Sequence, residues 1–323
     1  MNFLCYKIPN QKVEIHSGSW EKCLEKNKRG FIISDAHGEN FWQFHKTFDS
    51  SWDTVSFFEL PNCNLTAISE EDYLTHAEKL IEEMREKAVD KVVYSRIKAV
   101  TLSSNQFQFI FETLCERYPN NLNYLFSHPE LGFWMGSTPE ILIQGTQKRF
   151  TSMALAGTLP SDAPDLEWTN KEFEEQAYVS EYLNQLINKY GDLISKSARY
   201  VVPVGPVKHL RNDFEFSLSG ENLWPFISEL HPTPAVCGVP KQKAKLLYQS
   251  HEAHDRSLYT GIIGLVDEDY CALYVNLRCM QLFKDNAALY VGGGFTIDSD
   301  PLKEWLETER KADTLVKILM FSR

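Results

Sequence analysis

Apolar residues in this chain switch repeatedly between a spacing of two and a spacing near 3.6, and never in a fixed order. The run SEEDYLTHAEKLIEEMREKA (69–88) carries a Ser69…Asp72 capping box, with Tyr73, His76/Ala77, Leu80/Ile81 and Met84 on one helical face. KVVYS follows as a strand. A second helix puts Phe107, Ile110, Phe111, Leu114 and Tyr118 on one side and stops at Pro119. LNYLFS, GFWMG and EILIQG read as short strands. Residues 170–190 form a third helix that stops at Gly191. RYVVPV, TGIIGLV, CALYVNLRCMQLF and ALYVGGG read as strands, the third as one long alternation. A last helix opens at Asp300-Pro301 and runs to about Leu319. Such irregular alternation suits an α/β (α+β) chain better than a repeated βαβ unit. No Gly-x-Gly-x-x-Gly opens a helix after a strand and no Walker loop occurs, so nucleotide folds have no support.

Composition narrows the partners. Asp plus Glu total 44 against 33 Lys plus Arg, a formal net charge of -11. An acidic surface disfavours nucleic acid and anionic membranes, yet a pocket can still be locally positive toward a small anion. No apolar run approaches the roughly 20 residues needed to span a bilayer. The start, MNFLCYKIPNQK, has no signal-peptide core, and the seven scattered cysteines form no C-x-x-C pair. Reduced thiols in a cytoplasmic protein are the expectation. Residues 1–68 carry no motif; FIISDAHG and TVSFFEL are candidate strands there.

Chemistry concentrates near the C-terminus. On the last helix Glu304, Glu307 and Lys311 fall within about 60° of one another, beside an apolar stripe of Trp305, Ala312, Val316 and Leu319. Two carboxylates and an ammonium at the border of a buried face suggest a hard-cation site next to an anion-binding lysine. The plainer alternative is an exposed Glu307–Lys311 pair. The preceding VGGGFTIDSDP permits close backbone approach to a ligand, or is a tight turn.

Four blocks, HPTPAVCGVPKQKA (231–244), DRSLYTGIIG (255–264), NLRCMQL (276–282) and VGGGFTIDSDPLKEWLETERKADTL (291–315), resemble the chorismate-utilising enzymes, and within them the isochorismate synthases of menaquinone and siderophore biosynthesis. DKVVYSR (90–96), FWMGSTPEILI (133–143), ALAGTLP (154–160) and KEFEEQAYV (171–179) fit upstream in the right order, so the resemblance covers about residues 70–321. It implies one chorismate-binding domain of two stacked, mainly antiparallel sheets with helices outside and a cleft between. Residues 69–323 would be the catalytic region and 1–68 a divergent part of the same domain.

The resemblance also implies roles. Lys91, semi-buried on a strand beside Val92-Val93, would be the general base on water, and Glu140 the general acid for the departing hydroxyl. Glu175 and Glu307 would hold Mg²⁺, with Glu304 one turn earlier contacting it through water. Arg278 and Lys311 would hold substrate carboxylates, and Tyr259 would donate to one of them. Gly157, Gly292 and Gly294 would line the pocket, His209 would lie beside the substrate ring, and Ala235 and Val236 would form an apolar wall. Lys91→Ala and Glu140→Ala are expected to fold normally and lose turnover. The implied reaction is the reversible, Mg²⁺-dependent isomerisation of chorismate to isochorismate, with no glutaminase subunit. Salicylate synthase, which adds pyruvate elimination, is the alternative; anthranilate synthase component I is less favoured because Lys91 is present and an ammonia-using branch generally lacks it. Ala156 stands where aminodeoxychorismate synthases can carry a nucleophilic lysine. The chain departs from the resembled family at three places: the AGT block reads AGTLPSDAP where the family usually continues to an arginine, Gln176 replaces a His often found after the magnesium glutamate, a position that varies among isochorismate synthases, and Asn212 stands where Ser or Thr is usual.

Overall fold

The computed structural model describes residues 2–23, 29–55, 60–102, 106–146 and 148–321. Its strands are β1 (Asn2–Lys7), β2 (Glu14–Lys22), β3 (Gly30–Ser34), β4 (Phe41–Asp49), β5 (Lys91–Thr101), β6 (Leu122–His128), β7 (Gly132–Thr138), β8 (Ile141–Thr146), β9 (Arg149–Pro160), β10 (Gly191–Lys196), β11 (Tyr200–Val204), β12 (Val207–Leu218), β13 (Gly238–Val239), β14 (Ile262–Val266), β15 (Tyr270–Val275), β16 (Cys279–Leu282) and β17 (Asn286–Phe295). The helices are α1 (Glu70–Lys87), α2 (Phe107–Arg117), α3 (Asn170–Tyr190), α4 (Gly220–Leu230), α5 (Lys241–His251) and α6 (Pro301–Phe321). TVSFFEL falls largely at 56–59, outside the described residues.

Local chemistry explains the helix starts. The Ser69 hydroxyl accepts the Asp72 N–H at 3.1 Å, and the Asp72 carboxylate returns to that hydroxyl at 2.7 Å. A full reciprocal box sits at α3, where the Glu172 carboxylate accepts from Thr169 N–H at 2.9 Å and from its hydroxyl at 2.6 Å. Gly191 ends α3, but in extended backbone, as the first residue of β10. Its need for glycine is steric: a Cβ there would lie 1.9 Å from the Ser217 carbonyl oxygen.

Every strand pairing is antiparallel, and pairing is continuous from β12 through β9, β8, β15, β14, β3, β4, β2, β1, β6, β7, β16 and β17 to β5. The two halves of this ladder close over a shared interior. Tyr124, Phe126, Trp134 and Tyr290 from one half pack there with Phe31, Ile33, Ile263 and Tyr274 from the other. The outer faces are covered by helices: α3 and α4 on one side, α2 and α6 on the other, α1 and α5 at the β5 edge. Each fully buried Leu or Phe side chain stabilises this arrangement by roughly 1.5–3 kcal/mol.

The alternation in CALYVNLRCMQLF does not form one strand. It breaks at 276–278, because the chain there leaves one half of the ladder for the other: β15 pairs with β8 and β14, β16 with β7 and β17. Asn276 anchors the crossing, donating to the Leu258 carbonyl at 2.8 Å and accepting from the Tyr124 hydroxyl at 2.6 Å. Arg278 takes the left-handed conformation, φ 48°. That break aims its guanidinium at α6, where it donates to the Lys311 carbonyl at 3.0 Å.

Candidate active site

Four elements bring many of the sequence-selected residues together. β5 opens on Lys91, and β17 runs antiparallel beside it with Gly294 opposite Val93 and Gly292 opposite Ser95. The first turns of α3 and α6 face these strands. Lys91 is fully buried, with 0% exposure, and is therefore more enclosed than its Val-Val flank suggested. Its Nζ lies 3.1 Å from Glu175 Oε1, an ion pair without directed hydrogen-bond geometry.

One cavity is lined by Glu140, Glu175, His209, Ala235, Val236, Tyr259, Arg278, Gly292, Gly294 and Lys311. Lys91 stands behind Glu175, outside the lining. Gly157 stands behind His209: its carbonyl meets His209 Nδ1 at 3.1 Å. Glu304 and Glu307 line a neighbouring cavity, and Thr158 borders both. Thr158, Leu277 and Tyr290 also line the first cavity, although sequence reading assigned them no role. Thr158 lies inside the ALAGTLP block, one residue after an assigned glycine, so that block was the available signal.

The glycines have a measurable purpose. A Cβ on Gly294 would stand 2.2 Å from Glu175 Oε1 and 3.3 Å from Lys91 Cε; one on Gly292 would stand 3.0 Å from the Tyr259 hydroxyl. Gly157 has φ +70°, and a Cβ there would lie 2.7 Å from the Glu172 carbonyl oxygen. Gly294→Ala is accordingly expected to push the Glu175 carboxylate off Lys91. Because the clash is with a side-chain end, stability should fall by only about 1–3 kcal/mol, while activity drops sharply. Equal activity in a purified Gly294→Ala sample would show that the Glu175 position does not matter.

Electrostatics sort the titratable groups. Burial pushes the Glu140 carboxyl up to about 7, against the opposing pull of Lys91, Lys311 and Arg278. It therefore holds a proton near neutrality. Burial, with Arg278 and Lys311 nearby, pushes His209 down to about 3, so its ring is neutral. Nδ1–H donation to the Gly157 carbonyl leaves Nε2 as an acceptor. Burial also raises Glu304. At Glu307 burial acts the same way, but Lys311 and Lys171 outweigh it and hold the carboxyl low.

Each of the three α3 and α6 glutamates meets an ammonium: Glu175 with Lys91, Glu307 with Lys311 at 2.6 Å, and Glu304 with Lys171. The Glu307–Lys311 pair is only 14% and 17% exposed, so the reading of a solvated surface pair is excluded. On α3, Glu172 caps the helix and Glu174 is exposed, leaving Glu175 as the inward carboxylate. Among the described residues, the trio with ligand atoms within 4.8 Å of one another is Glu14, His16 and Asp49, remote in sequence from these glutamates. The three glutamates are spread more widely, which suits a cation that keeps water ligands. Glu304 Oε2 is buried without a hydrogen-bond partner, and hard carboxylate oxygens are the donors magnesium takes. The donor set fits the ion.

Two of the departures from the resembled pattern, Gln176 and Asn212, meet in space. Gln176 Nε2 donates to Asn212 Oδ1 at 2.7 Å, across from α3 to β12. An amide pair thus joins the helix carrying Glu175 to the strand carrying His209.

The isochorismate synthase EntC of Escherichia coli (strain K12) is 30% identical over 243 residues, 71% of this chain and 62% of that protein. The chain thus matches a little over three-fifths of that relative's length. The isochorismate synthase MenF of Haemophilus influenzae is 24% identical over 325 residues, 91% of this chain and 73% of that protein. The solved structure of MenF, the menaquinone-specific isochorismate synthase from Escherichia coli, superposes with a TM-score of 0.79 at 20% identity, covering 99% of this chain and 89% of that one, and shares the fold. Since residues 34–320 match the family described as chorismate binding enzyme, a span holding every one of the assigned residues, this chain belongs to the chorismate-binding enzymes.

Proposed function

We propose that this protein isomerises chorismate to isochorismate. The observation that carries the reading is a buried carboxyl, Glu140, held near neutrality in a cavity that also contains two cations, Arg278 and Lys311, for a dianionic ring substrate. The names of the relatives above support the same reaction. In it Lys91 acts as a neutral amine, its ammonium proton lost to solvent before the step, and takes the proton of a water that bonds to ring C2. The ring double bonds shift and the C4–O bond breaks. Glu140 supplies the proton with which the C4 hydroxyl departs as water. One water enters and one leaves, so the product is an isomer. Arg278 and Lys311 orient the two carboxylates, His209 Nε2 and Tyr259 Oη border the ring, and Ala235 and Val236 exclude water from its apolar edge. Glu175 and Glu307 would hold Mg²⁺, with Glu304 behind them, and that ion would neutralise charge building up on the ring carboxylate. Each acid or base group contributes about 10²–10⁴-fold.

Residues 1–68 belong to the same domain on this reading, since β1 pairs with β6 and β3 with β14. We place the work in the cytoplasm, where reduced thiols persist: Cys5, Cys63, Cys115, Cys237, Cys271 and Cys279 are free thiols. No helix among the described residues is long and apolar enough to cross a membrane.

The test is incubation of purified protein with chorismate, with MgCl₂ or with EDTA, followed by mass identification of products. Isochorismate that disappears with EDTA is the expected result. Salicylate and pyruvate without an added lyase would replace this reading by salicylate synthase. Anthranilate formed with ammonia would replace it by the ammonia-using branch.

A further inference from the structure

One lysine near the metal-type carboxylates has no part in the reaction above. Lys171 is the second residue of α3, one turn before Glu175 on the same helix face. Its ammonium is ion-paired with Glu304 Oε1 on α6, and the Glu304 side chain is 1% exposed. The Ser299 hydroxyl donates to the same oxygen at 3.1 Å. The other oxygen, Oε2, is buried with no hydrogen-bond partner, and Gly293 leaves it room: a Cβ there would stand 3.0 Å away. Lys171, Glu304 and Glu307 line one cavity, and the Lys171 side chain is 22% exposed, so it has an open side to move toward.

A buried carboxylate with one satisfied and one unsatisfied oxygen is costly unless a second cation can approach. We propose that Lys171 is a resident counter-ion for Glu304 that a divalent cation must displace, so that this lysine sets how tightly the carboxylate cluster binds metal. The proposal rests on the Mg²⁺ reading above. The ammonium and the metal repel at close range and compete for the same carboxylate, so each lowers the affinity of the site for the other. Metal arrival swings Lys171 into the cavity it borders, where Asp298 and Asp300 also stand.

The test is isothermal titration of the intact wild-type, Lys171→Met and Lys171→Gln proteins with MgCl₂ alone, with Lys303→Met as a control that removes a charge from the same cavity. Both Lys171 variants should bind Mg²⁺ at least about tenfold more tightly than wild type, with Lys303→Met close to wild type. Without metal they should melt below wild type, and MgCl₂ should raise their melting temperature by more than it raises that of wild type. In wild type, amine-selective labelling of Lys171 read by mass spectrometry should increase on adding MgCl₂. Wild-type binding with no gain in either Lys171 variant would overturn the proposal while leaving the metal site standing. An equal gain in Lys303→Met would also overturn it, by reducing the effect to general charge. If none of the proteins binds Mg²⁺, the metal reading itself falls and the counter-ion role with it.

Discussion

Glu140→Gln should lose about 10²–10⁴-fold in turnover and, at pH 8, should be more stable than the wild type. Both effects have one cause. Burial holds the folded Glu140 near 7, above the ordinary 4.5. Below about pH 4.5 the carboxyl is protonated in both the folded and the unfolded chain, and its contribution to stability is fully present. Between 4.5 and 7 the unfolded chain releases the proton first, so stability falls as pH rises. Above 7 the loss is complete and amounts to about 3 kcal/mol. Glutamine is nearly isosteric and cannot ionise, so it escapes this loss. Thermal melts in metal-free buffer should therefore coincide near pH 4.5 and separate by a few degrees at pH 8, with the variant higher. Coincident melts at both pH values would mean that Glu140 ionises as an ordinary carboxylate, and a proton-donor role would be untenable. In the wild type, kcat should fall as pH rises through about 7, when the acid loses its proton. His209, near 3, should add no ionisation between pH 5 and 9.

Lys91→Met should be inactive and also distinctly less stable. The sequence suggested that substitution at this position would leave folding untouched. The structure changes that expectation, because the ammonium is fully buried against Glu175. Removing it strands a carboxylate that is only 8% exposed. Breaking a buried pair from one side typically costs about 3–5 kcal/mol. Glu175→Gln in the Lys91→Met background removes the stranded charge, so the double variant should regain most of that stability and none of the turnover. Chemical denaturation of the wild type, both single variants and the double variant completes the cycle. Additive losses would show that the two side chains do not interact. Turnover recovered in the double variant would show that Lys91 is not the base.

Much of this was readable from residue order. Helical spacing located α1, α2, α3 and α6, because each buries one stripe and exposes the rest. The helices α4 and α5 escaped notice. Pro225 lies inside the first, and the second buries only Ala244, Leu247 and Tyr248. β12, paired on both sides by β9 and by β10 and β11, also went unread, since its first four residues are all buried and only the later ones alternate. At 271–283 the alternation was real but the single strand was not: the two halves of the run belong to different parts of the ladder, and only the partners reveal that.

The sequence alone singled out the candidate residues: the order of its motif blocks selected ten side chains or glycines that line a single cavity, and the amphipathic spacing of α6 located Glu304, Glu307 and Lys311 at the edge of a buried face. The tertiary structure alone decided what those groups face. It enclosed Lys91 completely, gave each metal-type glutamate its own ammonium, brought Gln176 onto Asn212, and raised Glu140 toward neutrality. The reason is physical. Residue type and spacing report a local helix or strand face, whereas proton affinity and ion pairing depend on burial and on charges tens to hundreds of residues away, which exist only once the ladder has closed.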